Sequence, residues 1–516
     1  MMSAGLVVVI VIVALLLVVG IYDVTQKKQA IRRNFPIIGN FRYILETIGP
    51  ELRQYIVTSN DEERPFSRDQ RSWVYASAKK QNNYFGFGTD NDLERAPGHI
   101  IIKHNTFPIP DPHKGDANYD ERYRIPVAKI MGGYRKRKHA FRPESVISIS
   151  AMSFGSLSEA AVEAINRGCG MSSTLHNTGE GGISPHHGLG GGLIFQLGTG
   201  YFGARNAEGR FNMEMLLDRV ERYDVRAIEI KLSQGAKPGR GGVLPAAKIT
   251  PEISEIRGIP MGKDCLSPSA HREFSSADEL LDFVERIADA TGRPVGIKSA
   301  VGDMGFWHDL ASLMAKGDRA VDYIAIDGGE GGTGAAPLVF SDHVALPFKI
   351  GFSRVYGVMA EHELTDKLLF IGSGRLGFPQ QSLFAFGMGC DMVAVAREAM
   401  MAIGCIQAQR CQTGHCPTGV ATQNKWLVRG LDPTDKAARL ANYVMTLRKE
   451  LMWLCHACGV PHPSHITFEH FELLSESFQA LNPRETFHYK PGWGQPGEAD
   501  RAEIARIMAE LGSWKG

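Results

Sequence analysis

Eight short apolar runs, each followed by a polar or glycine-rich turn, do most to limit the folds open to this chain. They are 146–151 (VISISA), 173–175 leading into His176, 193–197 (LIFQL), 227–231 (AIEIK), 294–298 (PVGIK), 323–327 (YIAID), 368–371 (LLFI) and 392–396 (MVAVA). Most lack polar alternation, as strands buried on both faces of a parallel sheet do. Amphipathic segments separate several of them; 158–166 and 277–291 read as helices. Eight strand–helix units predict an α/β chain folded as a (β/α)8 TIM barrel. The C-terminal strand ends of that fold form its active face. Ser153, Asn177, Glu180, Lys231, Lys298, Asp327-Gly328-Gly329 and Gly372-Ser373-Gly374 all fall just past a strand. Each glycine alone marks a tight turn; together they read as a lined pocket.

Residues 372–377 (GSGRLG) match the dinucleotide-binding pattern G-x-G-x-x-G literally. That site also needs an acid about twenty residues on, closing the next strand. Asp391 has the distance but opens its strand, and six strand–helix units precede the motif. A phosphate loop after strand seven is the better reading, completed by Ala396-Arg397-Glu398 after strand eight.

Cys405, Cys411 and Cys416 follow with the spacing C-x5-C-x4-C. The spacing fits neither a zinc ribbon nor a thioredoxin-type pair. Three thiolates suit zinc or an iron–sulfur cluster lacking one protein ligand; the plainer alternative is three core thiols. Eight cysteines in 516 residues do not make a secreted disulfide framework. Cys455 and Cys458 form a C-x-x-C that reads as two core-facing residues, with a metal site, helped by His462 and His465 close by, as the alternative.

Residues 6–22 (LVVVIVIVALLLVVGIY) carry no charge and no proline. As a helix they span roughly 26 Å, the short edge of what crosses a bilayer. No lysine or arginine precedes the run, which argues against a cleaved signal peptide. Lys27, Lys28, Arg32 and Arg33 follow it, so a single N-terminal anchor would leave the body in the cytoplasm. After the anchor, residues 34–40 read as turn-rich. Residues 44–56 have a helical rhythm broken at Gly49-Pro50, 83–89 (NYFGFGT) read as a loop packed on the body, and 99–103 as a short strand. Arg135 to Lys138 is a basic run whose simplest role is a solvated loop. Residues 427–448 and 498–511 look helical. A net charge of +1 gives no ground for a nucleic-acid partner. The expected parts are an anchor (1–28), an N-terminal extension packed on the barrel (29–144), the barrel with its cysteine loop (145–425) and a helical C-terminal extension (426–516).

Residues 151–158 (AMSFGSLS), 177–182 (NTGEGG), 231–239 (KLSQGAKPG), 327–337 (DGGEGGTGAAP) and 416–423 (CPTGVATQ) resemble, in this order, the synthase domain of glutamate synthase. The resemblance covers roughly 145–425 and implies an FMN-binding barrel with a 3Fe–4S cluster that reduces the imine of 2-oxoglutarate and ammonia to L-glutamate. By this similarity Cys405, Cys411 and Cys416 hold the cluster. Met152, Ser153 and Lys298 sit against the isoalloxazine. Gly328, Gly329, Gly372, Ser373, Gly374, Ala396 and Arg397 hold the ribityl phosphate. Glu180, Lys231, Gln234 and Lys237 face the 2-oxoacid. These roles are chemically apt: a reduced flavin wants a cation near N1, a dicarboxylate wants cations, and a carboxyl can move a proton at nitrogen.

The departures carry equal weight. A membrane helix and unrelated residues stand where the large enzyme has its glutaminase domain, and neither its C-terminal β-helix nor an NAD(P)H domain is evident. Gly372-Ser373-Gly374 stands where Asp-Gly-Gly is expected. The pattern resembles the stand-alone FMN-binding glutamate synthase family. Nitrogen would come from ammonia or another amine, and electrons from an NAD(P)H-oxidising partner or a ferredoxin. Two other readings stay open: an FMN oxidoreductase acting on another 2-oxoacid or amino acid, and a membrane-anchored electron-transfer subunit.

Overall fold

A computed structural model describes residues 3–512 except 27, 58, 59, 61, 90, 94, 95 and 478. Lys27 of the charged stretch therefore lies outside the described residues. The chain forms two compact units, Met1–Ser72 and Trp73–Gly516.

In the first unit, α1 (Ala4–Thr25) is capped by Ser3, whose side chain accepts from Leu6 N–H. Its apolar side chains are exposed along its whole length, and Asp23 is its one buried residue among those described. Two further helices follow, α2 (Ala30–Asn34) and α3 (Gly39–Tyr55). The break expected at Gly49-Pro50 does not occur, and α3 runs through Pro50. Proline removes one i→i−4 bond, here the one to Glu46, on an exposed stretch of the helix.

The second unit is built on a closed barrel of eight parallel strands. These are β1 (Ile147–Ile149), β2 (His176–Asn177), β3 (Leu193–Leu197), β4 (Val225–Lys231), β5 (Val295–Ser299), β6 (Tyr323–Asp327), β7 (Leu369–Ser373) and β8 (Met392–Val395). Each pairs with its neighbour in sequence, and β8 closes on β1 through Val393 opposite Ile147. Every strand residue is buried except Arg226, Lys231 and Ala394, which are partly so. Burial on both faces explains why the runs read as continuous apolar stretches. Inside the barrel Glu229 accepts from Asn177 Nδ2 at 2.8 Å and Gln196 Nε2 at 2.6 Å, a buried carboxylate with its bonds met.

Five helices matter below. They are α4 (Glu159–Ser172) after β1, α5 (Pro251–Arg257) in the long β4–β5 connection, α6 (Ala277–Thr291), α7 (Phe348–Glu361) after β6 and α8 (Arg397–Ala402) after β8. In the C-terminal extension, α9 runs Pro433–Ala457. The sequence placed its start too early. Asp432 caps it by accepting from Thr434 N–H at 2.8 Å, and Lys425–Val428 is a separate turn.

The basic run departs from a solvated loop. Arg137 reaches Asp322 through Nε at 3.0 Å and Glu285 through Nη1 at 2.6 Å, and Arg135 reaches Glu285 at 3.0 Å. Lys136 and Lys138 alone face solvent. Nearby in sequence, Lys129 pairs with Asp391 at 3.0 Å and donates to the carbonyls of Thr365 and Leu368. Asp322 and Asp391 stand immediately before β6 and β8 and also accept from Val295 N–H and Phe370 N–H. These ion pairs thus lie at the N-terminal end of the barrel, the end that carries stability rather than chemistry. The loop 83–89 also differs from its expected packing. Tyr84, Phe85 and Phe87 are exposed, and Asn83 ties the loop down through Nδ2 to Glu450 at 2.6 Å. None of the eight cysteines is in a disulfide, and Cys455 and Cys458 are buried. His462 spends its ring nitrogens on Ser464 and the Pro126 carbonyl.

Candidate active site

The C-terminal strand ends bring the oxoacid candidates together. Lys231 closes β4 and lies in register with Lys298 on β5. Its ammonium stands 3.0 Å from Glu180 Oε1 and 3.2 Å from Gln234 Oε1. Glu180 fills a slot between Gly198 and Gly242, where any Cβ would strike its carboxylate. Gln234 Nε2 donates to the Gly332 carbonyl at 3.3 Å, linking this cluster to the loop after β6. Lys237 is buried and donates to the Gly241 carbonyl at 3.3 Å. Burial pushes the Glu180 carboxyl up, but Lys231, with Lys237 and Arg257, more than offsets this and holds it below the usual carboxylate range. Lys237 is pulled down, first by burial and then by the Lys231 charge.

Three residues here were not singled out from the sequence. Arg257, at the end of α5, donates to Ser153 Oγ at 3.3 Å and to the Phe154 carbonyl at 3.0 Å, and its charge faces Glu180. His271 lies 2.9 Å from the Lys231 carbonyl through Nε2 and 2.9 Å from Tyr201 Oη through Nδ1. A carbonyl only accepts, so Nε2 carries the proton and Nδ1 accepts from the phenol. Burial lowers the His271 pKa, in keeping with this neutral ring. Arg257 and His271 sit in no glycine-rich motif, so no local signal marked them, whereas Tyr201 lies in the glycine-rich run 198–203 (GTGYFG), a signal the sequence did offer.

The cofactor candidates fall in two groups. Met152 and Ser153 follow β1 and pack against Gly179, whose absent Cβ would meet Ser153 N at 2.6 Å. Lys298 is buried and faces Asp327 at 3.7 Å. Among the described residues its ammonium makes no hydrogen bond, so donors remain for a ligand at the mouth. Gly235 N–H donates to Asp327 Oδ2 at 2.9 Å.

The glycine loops are organised differently from a bare cradle. Gly328 and Gly329 spend their N–H groups on the Ser373 and Leu346 carbonyls. A Cβ on Gly372 would meet Phe348 Cζ at 2.8 Å and Cys390 Sγ at 2.9 Å, so this glycine makes room for protein. Glu330 caps α7 by accepting from Phe348 N–H at 2.8 Å, and the Arg397 guanidinium donates to the Glu330 carbonyl. Ser373 ends β7, Gly374 follows at φ +147, and Ala396 is the N-cap of α8. The loops after β6, β7 and β8 thus meet around Glu330 and Arg397.

The cysteine loop follows α8. Tyr75 Oη donates to the Cys405 carbonyl at 2.9 Å. Lys248, which the sequence did not single out, donates to the carbonyls of Cys411 at 2.9 Å and Ala421 at 3.1 Å, and its charge faces the Cys411 and Cys416 sulfurs. Burial pushes the Cys405 thiol up to about 12 and raises Cys411. Burial also raises Cys416, but N–H groups of Ala421, Thr418 and Val420 and the Thr418 hydroxyl outweigh it and hold this thiol below its ordinary value. Donors to sulfur and a buried cation facing two thiols fit an anionic metal–sulfur centre. Among the described residues the three sulfurs do not close to single-ion distance; the one group of three possible ligands that does is Glu159, His186 and Glu252.

A closed parallel barrel whose charged side chains gather at the C-terminal strand ends has the architecture of an enzyme with its active face there. Residues 120–461 match the conserved region in glutamate synthase. The chain is 36% identical over 498 residues to the glutamate synthase large subunit-like protein YerD of Bacillus subtilis, covering 91% of this chain and 94% of that one. It is 36% identical over 323 residues to the archaeal glutamate synthase (NADPH) of Methanocaldococcus jannaschii, covering 61% of this chain and 59% of that one. It is 32% identical over 273 residues to the ferredoxin-dependent glutamate synthase of Pyropia yezoensis, covering 52% of this chain and 17% of that one. The chain belongs to the glutamate synthase family, oxidoreductases acting on CH–NH2 groups.

Proposed function

We propose that this chain is a membrane-anchored, FMN- and iron–sulfur-dependent enzyme that reductively aminates 2-oxoglutarate to L-glutamate. The observation that carries the reading is the cluster at the barrel mouth. Lys231, Lys237 and Arg257 set three cations against the single carboxylate of Glu180. That surplus matches a dicarboxylate, whose two charges need cations in a site closed to water. A pure electron carrier has no use for such a site.

Met152, Ser153 and Lys298 would hold the flavin ring, and the loops carrying Gly328, Gly329, Gly372, Ser373, Gly374, Ala396 and Arg397 its phosphate. FMN, when bound, supplies the hydride chemistry. The chain's own side chains do the rest. Lys231 and Lys237 orient the oxoacid carboxylates. Arg257 fixes the Ser153 loop against the same site. Glu180, ionised beside Lys231, accepts a proton from the incoming nitrogen. Cys405, Cys411 and Cys416 would hold a 3Fe–4S cluster, with Lys248 offsetting its charge.

Residues 145–425 form the catalytic part on this reading, with 29–144 and 426–516 as extensions. The apolar α1 would span the membrane, with Lys28, Arg32 and Arg33 marking the cytoplasmic side. Nitrogen arrives as ammonia or another amine. Electrons arrive from a separate donor, an NAD(P)H-oxidising partner or a ferredoxin.

The test uses the full chain in detergent, purified without oxygen, with its flavin reduced photochemically. Adding 2-oxoglutarate and ammonium should reoxidise the flavin and form glutamate. Flavin that stays reduced with 2-oxoglutarate but reoxidises with another 2-oxoacid would support the alternative substrate. Flavin reoxidised by no oxoacid, in a preparation holding both cofactors, would sink the synthase reading.

A further inference from the structure

We propose that α3 lies in the membrane interface as an in-plane amphipathic helix, so that the chain meets the bilayer through a second element. The inference rests on reading α1 as the anchor. Ile38, Phe41, Ile44, Leu45, Ile48 and Leu52 are all exposed, from 39% at Leu52 to 75% at Ile38. At about 100° per residue they share one stripe roughly 120° wide, the width of a face that buries against something apolar. Tyr43, Thr47 and Gln54 fall opposite; Arg42, Glu46 and Arg53 lie together beside the stripe.

What covers the stripe follows from how α3 joins α1. Asp23, in the last turn of α1, accepts from Ile37 N–H at 2.9 Å and from the Asn40 amide. Gly20 of α1 faces Ile37, and Gly39 packs so tightly on α2 that a Cβ would meet the Ile31 carbonyl at 2.8 Å. These contacts fix the start of α3 to the end of α1. Where α1 leaves the hydrocarbon, α3 therefore begins at headgroup depth, and its apolar stripe has the acyl boundary within reach. The charge agrees. Residues 28–56 hold five cations (Lys28, Arg32, Arg33, Arg42, Arg53) and two carboxylates (Glu46, Glu51), a surplus of three. Such a surplus beside a membrane segment favours an anionic lipid surface.

Tryptophan scanning of the full chain tests this. Phe41→Trp and Ile48→Trp report on the stripe, Tyr43→Trp and Gln54→Trp on the opposite face. The chain is bound at neutral pH to vesicles of phosphatidylcholine and phosphatidylglycerol, the former brominated near the headgroup end of its acyl chains. Fluorescence added by each tryptophan is measured against the unsubstituted chain. Quenching severalfold stronger at 41 and 48 than at 43 and 54 is the expected result. Equal quenching on both faces, or none on vesicle-bound chain, would overturn the proposal and leave the stripe to a protein partner. An alkaline carbonate wash reads α1 separately. A chain that washes off yet shows the two-faced pattern beforehand removes the anchor and keeps α3; a chain that never binds removes both.

Discussion

Lys231 Nζ lies 3.0 Å from Glu180 Oε1, and Lys231 is also in register with Lys298 on the next strand. One lysine thus pairs with Glu180 through its side chain and neighbours Lys298 through its backbone. Its removal should be the most informative single change at the mouth. Lys231→Gln leaves the partly buried Glu180 carboxylate without its nearest cation, and removing one partner of such a pair leaves the other charge uncompensated. On the proposed reading kcat/KM for the oxoacid falls by two orders of magnitude or more, while flavin content stays unchanged. Steady-state kinetics with flavin quantitation checks both.

The depressed Glu180 carboxyl gives a pH prediction. Burial raises it, and Lys231, Lys237 and Arg257 pull it lower still. Ionisation is therefore favoured in the folded protein. The stability it contributes is present above the unfolded value of about 4.3 and is lost as pH falls through the lower folded value. Activity that needs ionised Glu180 should persist to equally acidic pH. Lys237→Met removes a cation and should move the acidic limb of the kcat/KM profile upward. A limb that stays put would mean that another group sets it.

Cys411→Ser should abolish the iron signal while FMN remains bound, as measured by iron and flavin content and by electron paramagnetic resonance. Loss of flavin with iron retained would reverse the assignment of the two sites. Lys248→Met should keep the iron but make its reduction harder than in the unaltered chain, because a buried cation facing the sulfurs is gone.

Lys129→Met tests the opposite end of the barrel. The Lys129–Asp391 pair is buried, with side-chain exposures of 7% and 2%. Removing one partner of such a pair typically costs about 3–5 kcal/mol. Burial already pushes the Asp391 carboxyl up against the pull of Lys129, so without the cation it should take up a proton. Thermal unfolding should shift to lower temperature, with KM for the oxoacid unaltered in the folded fraction.

Gly235→Ala probes the seam between the two halves of the mouth. A Cβ there would collide with the Gly328 carbonyl. The loop after β4 would have to move off the loop after β6, and both Gln234 and the Gly235–Asp327 bond would move with it. Flavin retention and activity should fall together, whereas Gly86→Ala, with open space around it and no left-handed backbone, should bind flavin normally.

The barrel was legible because strands buried on both faces leave a local mark. The runs 193–197 and 323–327 and the helix 277–291 coincide with the observed elements. Where a strand is only two residues long, as at His176–Asn177, the mark nearly vanishes, and the expected run at 173–175 stops short of it. Glycine-rich motifs gave the strand-end loops because close backbone approach excludes a side chain, and that is written residue by residue.

By itself, then, the sequence determined the eight-stranded barrel, the mouth on which Glu180, Lys231 and Lys298 stand, and the apolar helix at the N-terminus. Only the tertiary structure brought Arg257 to Ser153, Lys248 to Cys411, His271 to Lys231, and turned Arg137 and Lys129 inward onto Asp322 and Asp391. A strand's burial acts through neighbouring residues and so leaves a period. A buried charge takes whichever partner the fold delivers, and Lys248 finds Cys411 from 163 residues away.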